Sequence, residues 1–173
     1  MQISRRNLIA GGAALAIFGQ SRTAQASLVS DNWQGLTEIL GKSWHGGGIT
    51  HSAGTEGGKL TLQLGLSIQA NADYTIGGTL SMTSRWDTGT YSARYRIRGY
   101  VTNTDEPAIF VVIESATFES GDDLPSNLFW QGLTGNLRLY TESGNSGHWV
   151  LSGDLFGTRD GNKFESQFAD HPV

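Results

Sequence analysis

The sequence predicts an all-β domain: about eight antiparallel strands in an up-and-down barrel, preceded by one short N-terminal helix. Three observations carry this. Apolar and polar residues alternate with period two along most of the chain after Trp44, as half-buried strands require. Turn-forming clusters separate these runs at short intervals. Glycine, 24 of 173 residues, recurs inside the strand segments Ile76–Leu80, Ile97–Val101 and Leu151–Leu155, where sharp coiling at a barrel corner is the usual reason for it. A two-sheet β-sandwich is the alternative architecture.

Residues 1–26 read as an export signal. Ser4-Arg5-Arg6-Asn7-Leu8-Ile9 leads into an apolar run ending at Phe18, and Ala24-Gln25-Ala26 supplies a small-x-small cleavage site. The paired arginines followed by Leu8 and Ile9 resemble the twin-arginine (Tat) signal. That resemblance implies passage of a folded chain through the Tat translocase, cleavage after Ala26 and a periplasmic or secreted location. Leu8–Phe18 is well short of the ~20 residues that span a bilayer, so no stable membrane anchor is expected. The leader holds three arginines and no acid, so its removal changes the formal charge from −4 to −7. That sign excludes nucleic-acid binding through phosphate contacts. Residues 27–173 have single-domain length, and the absence of cysteine excludes a disulfide scaffold.

The elements follow in order. Trp33, Leu36, Ile39 and Leu40 share one face of a helix over about 31–40, with Ser30 or Asp31 to cap it and Gly41 to end it. Strands are expected around Gly47–His51, then over Lys59–Ile68, Tyr74–Met82, Tyr91–Val101, Pro107–Glu119, Leu128–Tyr140, His148–Phe156 and Lys163–Phe168, so the strand region runs over about 47–169. The clearest is the second, where Leu60, Leu62, Leu64, Leu66 and Ile68 line one face. The same parity turns Tyr74, Tyr95, Trp149, Phe164 and Phe168 inward. With Thr102–Glu106 as a hairpin loop, Val101 falls opposite Pro107, Ile97 opposite Val111 and Tyr95 opposite Ile113. Outside, Arg94 then stands beside Glu114, Arg96 beside Val112 and Arg98 beside Phe110.

Gly41-Lys42-Ser43-Trp44, between the helix and the first strand, resembles the Gly-x-Trp entry of the calycins, the lipocalin and avidin group. Gly89-Thr90-Tyr91 followed by Arg94-Tyr95 is similar to an avidin strand. The resemblance implies a calycin-like barrel and carries over no functional residue.

No nucleophile–base constellation stands out, so no catalytic residue is assigned. His45-Gly46-Gly47-Gly48 looks like a lipase oxyanion loop, but the Gly-x-Ser-x-Gly elbow that such chemistry needs is missing. His45, His51, His148 and His171 are too scattered in sequence to make a metal site, so no metal and no cofactor are assigned. Among the acids, Asp122-Asp123 sits beside Leu124-Pro125 in a turn, which makes it a better cation or acid–base candidate than Asp105-Glu106. Arg94, Arg96 and Arg98 form a positive stripe suited to an anion or a partner protein, their stems covering apolar neighbours. Trp44, Trp86, Tyr95, Trp130 and Trp149 are the candidate ligand-binding aromatics.

The expected function is that of an exported, soluble, non-catalytic periplasmic barrel binding an apolar or amphipathic small ligand or a protein partner. One alternative is a small barrel enzyme of cyclase, isomerase or hydrolase type, with His45, Arg94, Glu114 or Asp123 at its mouth. The other is an inhibitor or interaction protein with a filled core.

Overall fold

The computed structural model describes Val29 and residues 32–51, 60–86, 88–103, 108–142 and 147–171. The export signal, its cleavage site and the Ser30 and Asp31 caps lie outside these residues. Helix α1 spans Trp33–Leu40. The strands are β1 Ser43–His51, β2 Leu60–Ala70, β3 Thr75–Trp86, β4 Gly89–Asn103, β5 Ile109–Gly121, β6 Leu133–Thr141, β7 Trp149–Gly157 and β8 Lys163–Ala169. Each strand pairs antiparallel with the next, and β8 returns to β1 with Phe168 opposite Gly46. The up-and-down barrel is therefore closed, and the sandwich alternative does not apply.

Alternation decides which side chains fill it. Leu64, Leu66 and Ile68 of β2, Leu80 and Met82 of β3, and Tyr95, Ile97 and Val101 of β4 point inward. Val111 and Ile113 of β5, Leu137 and Leu139 of β6, Leu151 and Leu155 of β7, and Phe168 of β8 meet them. All are 5% exposed or less, so the described interior is packed with side chains, as an eight-stranded barrel permits.

Helix α1 packs at the barrel end where β1 begins and β2 finishes. It is too short to persist alone and is held by burying Leu36 and Leu40. The Trp44 indole N–H donates to the Leu40 carbonyl at 3.2 Å, joining the helix to β1. Opposite this plug are the β3–β4, β5–β6 and β7–β8 connections.

Three expectations are corrected. Trp44, a candidate ligand-binding aromatic, is instead a core residue, 1% exposed, because β1 starts at Ser43 and places it in phase with inward Gly46. Tyr74 is not inward: it ends the β2–β3 turn with φ 66° and packs edge-on against Trp33. In the β4–β5 hairpin Val101 faces Val111 rather than Pro107, because β4 continues to Asn103 and β5 starts only at Ile109. The offset is four residues. Being even, it leaves each side chain there on its expected face.

Candidate functional site

Two irregularities in β5 shape the outer surface beneath the arginines. Gly99 faces Ile113 but Arg98 faces Ser115, leaving Glu114 without an opposite residue. Tyr95 faces Phe118 but Arg94 faces Ser120, which leaves Glu119 over in the same way. The expected Arg94–Glu114 neighbourhood is lost through these bulges. Glu119 instead pairs with Arg96, and its other oxygen lies 3.9 Å from Arg94 Nε. Arg98 has no carboxylate partner among the described residues. Arg96 and Arg98, with Ser115, Thr117, Phe118 and Glu119, line an open groove of 410 Å³.

The second bulge also carries an aromatic series from core to surface. Phe118 meets buried Tyr95 edge-on, with ring centroids 5.9 Å apart. On its other side it stacks on Trp130 at 6.3 Å, the planes 14° apart. Trp130 lies in the β5–β6 connection and not in the strand expected from Leu128. Its indole N–H donates to the Asp122 carbonyl at 2.9 Å, and the Asp122 carboxylate accepts the Ser92 backbone N–H at 2.7 Å. Asp122 therefore fixes this loop on β4.

Beyond Trp130, the Arg159 guanidinium lies 4.1 Å from the Phe129 ring centroid, a cation–π contact. The Gln131 amide donates to Asp160 at 2.7 Å and accepts the Arg159 N–H at 2.9 Å, tying the connection to the β7–β8 turn. Phe118 and Phe129 remain 38% and 42% exposed. Rings held this firmly while open to solvent make a preformed contact surface.

Tyr95 anchors the series from inside. It is 1% exposed, and its hydroxyl has no hydrogen-bond partner among the described residues. Burial pushes the phenol up to about 12. An unfolded chain releases that proton near pH 10, so the native state loses stability as pH rises from about 10 to 12. Tyr95→Phe is expected to leave stability at pH 7 unchanged or about 1 kcal/mol higher, since no hydrogen bond is lost. It should also retain more of that stability at alkaline pH. Urea midpoints at pH 8 and pH 11 measure this, and equal alkaline losses in both proteins would refute it.

The other sequence-selected residues separate. Trp86 ends β3 opposite Gly89, and its side chain lies outside the described residues. Trp149 is half-buried against the core at the helix end, where Trp44 also lies, so neither joins Trp130. Of the enzyme candidates, His45, Arg94 and Glu114 are exposed on the outside of three different strands and Asp123 is exposed in the β5–β6 connection. No hydrogen bond or ion pair among the described residues joins any two of them. Sequence reasoning missed Phe118, Glu119, Phe129 and Arg159. The first two were signalled by the spacing Val111, Ile113, Ala116, Phe118, which skips one beat of the alternation.

No protein-family model matches the chain, and neither a curated protein nor a solved structure matches it.

Proposed function

We propose that the protein is an exported, non-catalytic barrel that binds a small anionic ligand on its outer surface, at the groove between β4 and β5. The observation that carries this is the placement of Arg96 and Arg98, the latter without a carboxylate partner among the described residues, in one outer groove with Ser115 and Thr117. A carboxylate or phosphate there would meet the guanidinium groups, with the Ser115 and Thr117 hydroxyls on the same face. The packed interior favours an outside site over an internal cavity. Export rests on the twin-arginine resemblance, with periplasmic release after cleavage at Ala26.

Native mass spectrometry of protein purified untagged from its own exporting host tests the reading. The expected spectrum is a chain beginning at Ser27 that carries an additional mass, whose size distinguishes a small molecule from a partner protein. Arg96→Glu and Arg98→Glu should each reduce occupancy about ten-fold or more, as expected for loss of a charge-assisted hydrogen bond. Circular dichroism should stay unchanged in both variants. A bare mature mass, or an adduct indifferent to both substitutions, would overturn the proposal.

A further inference from the structure

At the helix end, away from the groove, the β7–β8 pairing of Val150 with Ala169 brings two histidines and an aspartate together from either side of a hairpin. His148 Nδ1 lies 3.5 Å and His171 Nδ1 3.4 Å from the same oxygen, Asp170 Oδ1. The imidazole centroids are 4.3 Å apart, and the three ligand atoms fall within 4.8 Å of one another. The spacing is long for good N–H···O hydrogen bonds. It matches the edge of a tetrahedron built on metal–ligand bonds of 2.0–2.1 Å, which is roughly 3.3 Å.

The carboxylate is already oriented for such a role. Asp170 is 3% exposed at its side chain; Oδ2 takes the Lys42 ammonium, and Oδ1 accepts the Trp149 backbone N–H at 3.1 Å. Both histidines are partly open to solvent, at 42% and 31%, so a cation and its remaining water ligands have access.

We infer that His148, Asp170 and His171 form a binding site for a first-row divalent cation of the Zn²⁺ class, with Lys42 orienting the carboxylate from behind. Two neutral imidazoles and one carboxylate oxygen are a donor set suited to zinc, copper or nickel rather than calcium or magnesium. With the proton on Nε2, each ring presents its Nδ1 lone pair to the shared centre. The bound ion crosslinks the end of β8 to the start of β7, and through Lys42 to the α1–β1 junction. It would thus supply a staple in a domain that has no cysteine.

Titration of ZnCl₂ into the untagged protein at pH 7.5, followed by calorimetry, tests the site. The expected result is one ion per chain, with affinity lowered at least about ten-fold in His148→Ala and in His171→Ala and unchanged in His45→Ala. A zinc-dependent rise in Tm should vanish in the His148→Ala/His171→Ala double variant, whose circular dichroism without metal matches the parent. Absence of one-to-one binding, or binding that survives the double substitution, would overturn the assignment.

Discussion

Gly99→Ala is expected to destabilise the barrel by about 3 kcal/mol or more, at the upper end of the cost of overpacking a filled site. Gly99 lies in the β4–β5 ladder, next to the first bulge. A Cβ there would stand 1.8 Å from the Val112 carbonyl oxygen and 2.9 Å from its carbon, and both are backbone atoms that cannot rotate away. The strands must separate, which breaks the ladder that carries the arginines. Against a total stability of about 5–15 kcal/mol, this removes a large share. Gly65→Ala is the matched comparison. Its Cβ would meet only the Ser81 Cβ, at 3.8 Å, so the substitution should be neutral or stabilise by about 0.5 kcal/mol through a less mobile unfolded chain. Urea midpoints of the two variants decide the matter: similar values would mean that close strand approach does not account for Gly99.

Leu64→Asp should have a larger effect, abolishing cooperative folding altogether. Leu64 is 5% exposed, faces Met82 across β2–β3 and reaches toward Gly48 of β1. An aspartate there places a carboxyl within the apolar core, a penalty of several kcal/mol added to the lost apolar burial. Arg96→Ala changes more atoms on the same barrel but removes only a surface ion pair with Glu119. It should cost no more than about 1 kcal/mol. Thermal unfolding followed by circular dichroism separates them. A cooperative transition in Leu64→Asp near that of the parent would show that Leu64 does not face a closed core.

The contrast between these positions reflects what alternation encodes. Period two assigns a face to each residue, and the faces of β2, β4 and the stripe Arg94, Arg96 and Arg98 were legible for that reason. Alternation does not assign partners. The β4–β5 offset of four residues is invisible to it, because an even slip leaves the face of every side chain unchanged. Bulges are harder still. Glu114 and Glu119 each insert one residue, and only the three-residue gap between inward Ile113 and Ala116 betrays the first. That extra residue count turns Glu119 toward the arginines and Phe118 toward Tyr95, so the groove could not be assembled from pattern alone. The His148–Asp170–His171 cluster was out of reach for a related reason. His148 precedes β7 and Asp170 follows β8, and only the strand register reveals that those two ends meet.

Closure of β8 on β1 also fixes when this protein becomes whole during synthesis. The seam pairs His45–His51 with Lys163–Ala169, so the first strand to emerge waits for the last. Until Lys163 is available, both β1 and β7 present unpaired backbone along one side, the kind of edge on which chains associate. Barrel closure therefore depends on a contact spanning more than a hundred residues, whose ordering entropy must be met before the seam can form.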